Sequence, residues 1–292
     1  MRVVPDHSPA PFIIGHGRSG TTLLRLMLDT HSCLAIPPET GFLAHAAGLL
    51  DDEATARERF LTLITTYKTW PDLGIESDQL RTALETIEPF TLAEGVRALY
   101  RAYAQRHGKP RFGDKTPGYT AKLHEVQAVL PEARFIHIVR DGRDVALSMR
   151  EVWFGRHGSI DEHIDHWRKL IRQARACSAR CPWYLEVRYE DLVRRPEAEL
   201  RRICDFIELP YEHSMLRYFE RAKSRLNEVT TWLHADGTVR VSKSERLFQH
   251  RFTSYPPLQE RIFRYRHEMT DNERQRCVTI AGDLLTELGY DT

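Results

Sequence analysis

The segment from Phe12 to Thr30 constrains this chain more than any other. Phe12 to Gly15 reads as a short buried strand, and Gly20 to Thr30 as a helix with Leu23, Leu24, Met27 and Leu28 on one apolar face. The link between them is Gly15-His16-Gly17-Arg18-Ser19-Gly20-Thr21-Thr22. A glycine-rich turn between strand and helix leaves backbone N–H groups pointing at one spot, where the helix N-terminus adds positive potential, so an anion is favoured there. A turn with packing duties only is the alternative reading.

Further strands and helices alternate along the chain. Arg111 to Gly113 reads as a short strand, Ala133 to Val139 as the strongest strand, and Asp141 to Glu151 as the helix after it. A long amphipathic helix carrying Ile160, Ile164, Trp167, Ile171 and Ala174 precedes a strand at Trp183 to Val187. This alternation implies an α/β fold of three layers, a mostly parallel central sheet with helices on both faces. Glu39 to Arg106 is mostly helical in pattern, broken near Trp70 to Gly74 and at Glu88-Pro89. Pro196 to Phe206 and Thr270 to Leu288 read as helices, the second opened by a Thr270–Glu273 capping box and closed by Gly289. Arg221 to Tyr255 is polar and poorly periodic, the pattern of a functional loop or lid. One domain over residues 1–292 is expected, with a helical insertion at about 42–110 and a lid-like segment at about 221–255.

Composition excludes several classes. With 42 basic against 41 acidic residues the net charge is +1, too even for a protein that coats nucleic acid. The apolar fraction of 41% argues against disorder. No stretch approaches the roughly 18 apolar residues of a spanning helix. Arg2 is followed by Pro5, Asp6 and His7, and the apolar run Phe12 to Ile14 is too short for a signal peptide, so a soluble, cytoplasmic protein is expected. Five scattered cysteines (33, 177, 181, 204 and 277) fit a reducing compartment. No metal is expected: Cys177 and Cys181 lack a second pair, and His163 and His166 lack a third ligand and read as a solvated polar face. Only seven of the 42 basic residues are lysines, so a lysine in a tight motif stands out.

Gly15 and Gly20 have the span of a P-loop, but Thr21 and Thr22 stand where lysine and Ser or Thr would follow, and the cation comes earlier, at Arg18. Here the chain resembles the P-loop-like sulfotransferases that use 3′-phosphoadenosine 5′-phosphosulfate (PAPS) and release 3′-phosphoadenosine 5′-phosphate (PAP). Their loop reads Pro-Lys/Arg-Ser-Gly-Thr-Thr, and Gly17-Arg18-Ser19-Gly20-Thr21-Thr22 matches it except at Gly17. The resemblance implies that these six residues hold the 5′-phosphosulfate, without magnesium. A second match runs from Arg134 to Ser148 and implies that Arg140 and Ser148 hold the 3′-phosphate; an ion pair of Arg140 with Asp141 or Asp144 is the alternative. A third, Val187-Arg188-Tyr189-Glu190-Asp191-Leu192, implies an adenosine contact at Tyr189, with simple packing as the alternative. His137, inside its strand, reads as a core residue. The matched segments span residue 12 to about 207.

Sulfuryl transfer to a hydroxyl needs in-line alignment, charge stabilisation and a base. The cytosolic branch has a Lys-Thr-His segment, but Asp114-Lys115-Thr116-Pro117 puts proline where that histidine would be. Pro38-Glu39-Thr40 is similar to the Glu-Thr segment of the tyrosylprotein branch, which with the heparan branch uses a glutamate base. The resemblance, shared with bacterial relatives of these branches, implies Glu39 as general base; a carboxylate serving only a helix start is the alternative. It also implies that Lys115 and Arg18 stabilise charge on the transferring group. The expected acceptor is a hydroxyl, less readily an amine, on a small molecule, lipid or carbohydrate. A P-loop kinase or ATPase and a non-catalytic nucleotide-binding protein are the competing readings.

Overall fold

Ala10–Ile14 (β1) is buried at every position, as a strand with neighbours on both sides and helices over both faces must be. The computed structural model describes residues 8–46 and 53–292. Arg2, Pro5, Asp6 and His7, which carry the reading of the N-terminus, and residues 47–52 of the expected insertion lie outside the described residues.

After β1 and Thr21–Asp29 (α1) come Leu34–Ala35 (β2), Leu43–Ala46 (α2), Glu53–Thr66 (α3), Trp70–Leu73 (α4), Ser77–Glu85 (α5) and Leu92–Arg106 (α6). Arg111–Phe112 (β3) and Asp114–Lys115 (β4) lead to Leu123–Val129 (α7), Ala133–Val139 (β5), Gly142–Arg150 (α8), Ile160–Ser178 (α9) and Tyr184–Arg188 (β6). The chain then runs through Tyr189–Arg194 (α10), Pro196–Phe206 (α11) and Phe219–Leu226 (α12) to a hairpin, Trp232–Leu233 (β7) and Val239–Val241 (β8). Lys243–Phe248 (α13), Tyr265–Glu268 (α14) and Asp271–Glu287 (α15) complete it.

The central sheet has the order β4-β1-β5-β6, every pair parallel. Alternation along the strands sends residues to opposite faces. Ala10, Phe12 and Ile14 join Phe60, Val96, Tyr100 and Leu123 on one side, whereas Ile13, Ile136 and Ile138 join Leu24, Met27, Leu200 and Ile203 on the other. A third cluster packs α8, α9 and α15 together through Val145, Ile164, Trp167, Ala281 and Leu284. This is the three-layer α/β arrangement expected from the alternation.

Parallel strands all end on one edge, and here that edge carries the candidate residues. Lys115 pairs with Ile13, two residues before the Gly15 turn; Arg140 follows β5; Tyr189 follows β6, whose Arg188 pairs with Val139. Open α/β sheets bind ligands beyond these strand ends.

In its secondary structure the protein departs from the sequence reading at the 111–113 strand, at Tyr189 and over 221–255. The strand read at 111–113 splits: β3 pairs with β2 in a separate small sheet, while β4 joins β1. Gly113 allows the switch, because a Cβ there would sit 2.7 Å from the Pro11 carbonyl oxygen. Tyr189 opens a helix of its own before the one at Pro196. The polar stretch 221–255 is not irregular. It holds α12, the β7–β8 hairpin turned at Asp236-Gly237, and α13 with a Ser242–Glu245 capping box, so its polar residues satisfy caps and turns.

Gly15 has φ +146°, and a Cβ there would lie 2.6 Å from the Ile138 carbonyl oxygen of the neighbouring strand. Gly15→Ala is therefore expected to lower stability by about 1–3 kcal/mol, read as a lower urea midpoint at unchanged m-value; an unchanged midpoint refutes the constraint.

Candidate active site

Helix α1 starts without a cap. Gly20, at φ 100°, fills the N-cap position with no side-chain hydrogen bond, and the first turn holds no acidic residue. The first intrahelical bond is Leu24 N–H to Gly20 O, so the N–H groups of Thr21, Thr22 and Leu23 lack intrahelical acceptors. Ser19 Oγ is buried without a partner. Tyr189 packs so closely beneath the loop that a Cβ at Gly20 would lie 2.4 Å from its ring.

These groups border a cavity of about 340 Å³. Of the sequence-predicted residues, Gly17, Arg18, Gly20, Thr21, Thr22, Glu39, Arg140, Ser148 and Tyr189 line it. Ser19 lies buried behind that wall, and Lys115 reaches the cavity through its contact with Glu39.

One wall is cationic. Arg18 Nε donates to Ser148 Oγ at 3.2 Å, and Arg140 donates to the Arg18 carbonyl at 3.1 Å while lying 4.6 Å from the centre of the Tyr189 ring. Burial, then the neighbouring Arg140 charge, pulls the Arg18 guanidinium down to about 10. Arg140 does meet Asp144, at 3.4 Å, but Asp141 is taken up by Arg143 through bonds of 3.0 and 2.8 Å. Among the described residues Arg18 has no carboxylate at ion-pair distance, so the wall is short of negative charge. An anionic ligand would supply it.

Across the cavity, Lys115 Nζ donates to Glu39 Oε1 at 2.8 Å; the lysine side chain is 4% exposed and the glutamate 42%. Burial depresses the Lys115 ammonium, and the Glu39 charge offsets part of that. For Glu39, burial opposes ionisation but the Lys115 charge and hydrogen bond outweigh it, holding the carboxyl below its ordinary value. The carboxylate is thus ionised at neutral pH, with a free edge toward the cavity. Its position is set from behind: Thr40 donates to Asp114 at 2.7 Å, Tyr100 donates to the same oxygen at 3.0 Å, and the Thr40 N–H donates to Thr116 at 3.0 Å.

Other lining residues were not legible in the sequence: Trp153, Phe154, Tyr218, Trp232, His250, Phe252 and Arg261. Trp232, His250 and Phe252 come from the stretch read as polar, where aromatic residues recurring in a charged background were the available signal. Burial, then the Lys115 and Arg18 charges, keeps the His250 imidazole well below its usual range, hence neutral.

The histidines of α9 do not form a solvated face. His163 is buried against the Gly155 carbonyl at 2.9 Å, because Gly158 leaves room for its ring; only His166 is exposed, and it meets His16 of the loop at 2.9 Å. His137 is buried in β5 against Tyr184. Among the described residues no cluster of three His, Cys, Asp or Glu side chains could hold a metal, and no helix is long and apolar enough to cross a membrane.

The sequence model described as "Sulfotransferase family" matches residues 9–213. A putative protein-tyrosine sulfotransferase of Caenorhabditis briggsae is 30% identical over 219 residues, covering 72% of this chain and 69% of the relative. The omega-hydroxy-beta-dihydromenaquinone-9 sulfotransferase Stf3 of Mycobacterium bovis is 28% identical over 273 residues, covering 75% and 66%. The sulfotransferase domain of the Synechococcus PCC 7002 olefin synthase superposes with a TM-score of 0.60 at 24% identity, over 99% of this chain and 98% of that one, and shares the fold.

Burial raises the Asp114 carboxyl to about 6, against the hydrogen bonds and the Lys115 charge that favour ionisation. The folded state therefore holds this proton more tightly than the unfolded chain, and stability from this group falls as pH rises from about 4 to about 6. Asp114→Asn should flatten that fall by about 2–3 kcal/mol, measured by urea unfolding across the range; an unchanged slope rules out the assignment.

Proposed function

Because this chain belongs to the sulfotransferase family, and is thus a sulfuryl-transferring enzyme, we propose that its donor is PAPS, its acceptor a hydroxyl, and its general base Glu39. One observation carries the reading. An ionised carboxylate, paired with a buried lysine, opens into the same cavity as an uncapped helix N-terminus and a cationic wall.

The residues present fit the donor. The free N–H groups of α1, the Thr21 and Thr22 hydroxyls and the orphaned Ser19 Oγ are donors for the 5′-phosphosulfate. Arg140, Ser148 and Arg261 suit the 3′-phosphate, and Tyr189 offers a ring beside Arg140 for the adenine. PAPS supplies a sulfuryl group with PAP as leaving group. Glu39 takes the acceptor proton as the acceptor oxygen bonds to sulfur and the bond from sulfur to the bridging phosphate oxygen breaks. Lys115 and Arg18 stabilise the negative charge that grows on that oxygen. The Lys115–Glu39 pair therefore serves both ends of the reaction and holds the base ionised.

A phosphotransferase reading is weaker on two counts. Thr21 stands in the position of the phosphate-binding lysine, and Asp141, the carboxylate nearest the end of β5, is committed to Arg143. The acceptor is read as a hydroxylated small molecule, lipid or carbohydrate, and the relative named for protein tyrosine adds a phenol to the candidates.

Glu39→Gln should lower kcat by about 10²–10⁴ with PAP affinity unchanged, read by labelled-donor turnover and calorimetry; wild-type turnover would remove Glu39 from the mechanism. PAP at 100 times its Kd should stabilise the protein by about 2.7 kcal/mol, seen as a thermal shift. Stabilisation by ATP with magnesium and not by PAP would favour the phosphotransferase.

A further inference from the structure

The acceptor side of the cavity is built from rings. Glu39 feels, after Lys115, the charges of Arg246 and Lys68, and these two cations lie over the Trp232 ring at 4.3 and 4.8 Å from its centre. Trp232 lines the same cavity as the base. Trp153 meets Trp232 edge to face at 6.2 Å, and Phe154 meets Trp153 at 5.2 Å. The run of rings leads outward: Phe154 is 45% exposed and stands 3.9 Å from where a Cβ of Gly17 would be, at the edge of the phosphate loop. A soluble surface that leaves a large ring half exposed next to an active cavity is suited to an apolar ligand.

Charge narrows the class further. The proposed donor is a polyanion and Glu39 is ionised, so an anionic group on the acceptor body would sit among like charges. The cations nearest the base are already engaged: Lys115 with Glu39 at 2.8 Å, and Arg246 with both oxygens of Asp72 at 3.0 and 2.5 Å, while the Lys68 ammonium packs on the Trp232 ring. Both indole nitrogens, of Trp153 and Trp232, are buried without partners and closed to solvent, so the ring wall offers few polar contacts to a sugar.

Resting on the reading above, we propose that the acceptor presents its hydroxyl at the end of an uncharged hydrocarbon body that packs along Trp232, Trp153 and Phe154. The rings then determine specificity. The body loses water along the wall while the hydroxyl alone reaches Glu39, so affinity follows hydrocarbon length and the chemical step does not.

The test uses the full chain with PAPS and primary n-alkanols from butanol to decanol, alongside a disaccharide and an acidic tyrosine-containing peptide. We expect kcat/KM to rise about two- to fourfold per methylene, mostly through KM, and to exceed that of the disaccharide and the peptide. Phe154→Ser, an exposed change compatible with folding, should flatten the rise with PAP affinity unchanged; Trp232→Leu should do so more strongly. A series independent of chain length, or a better rate with the disaccharide or peptide, overturns the acceptor assignment while leaving the PAPS and Glu39 reading standing. No transfer to any acceptor, or no PAP binding, overturns both.

Discussion

A parallel sheet forces every strand to end on the same edge, and the chemistry of this protein depends on that constraint. Hairpins cannot join parallel neighbours, so each strand must hand over to a loop and a helix. In the order β4-β1-β5-β6 the handovers bring Lys115, the Gly15–Gly20 turn, Arg140 and Tyr189 side by side. None is close to the others in sequence. The register between Ile13 and Lys115, set by apolar residues buried on both faces, holds the lysine next to the phosphate loop.

That edge collects positive charge in a chain with almost no net charge. Elsewhere many of the abundant arginines are matched, among them Arg225 with Asp29, Arg246 with Asp72, Arg143 with Asp141 and Arg97 with Glu132. Such pairs are buried or half-buried, where leaving either partner alone is costly. Around the cavity the matching is incomplete: among the described residues Arg18 has no carboxylate at ion-pair distance, while Arg140 meets Asp144 at 3.4 Å, and a bound anion would complete the balance. The formal balance of 42 against 41 therefore describes the field far from the protein and says little about the pocket.

Much of this was legible in the residues, for reasons that differ by element. Ala133–Val139 and Pro196–Phe206 fall where the pattern puts them, because a strand buried on both faces and a helix opened by proline carry strong local signals. The Thr270–Glu273 capping box forms as read. Strands of two residues, β2, β3, β4 and β7, are too short to show a period, and their pairing is decided by tertiary approach. The same applies to the cavity. Glu39, Arg18, Arg140 and Lys115 come from motifs with a physical rationale, and the structure brings Glu39 within 2.8 Å of Lys115. Trp232, His250 and Arg261 belong to no local pattern and reach the cavity only because α12, the hairpin and α13 fold back over it. Asp72 anchors that return through Arg246 and Thr230, a contact between residues more than 150 positions apart.

The central claim is that one cavity aligns a nucleotide phosphosulfate with a carboxylate base. A crystal structure with bound PAP tests it most directly. The account predicts the 5′-phosphate on the N–H groups of Thr21, Thr22 and Leu23, the 3′-phosphate against Arg140 and Ser148, and the Lys115–Glu39 pair facing the 5′-phosphate. PAP seated away from the α1 N-terminus, or with its two phosphates exchanged, would contradict it.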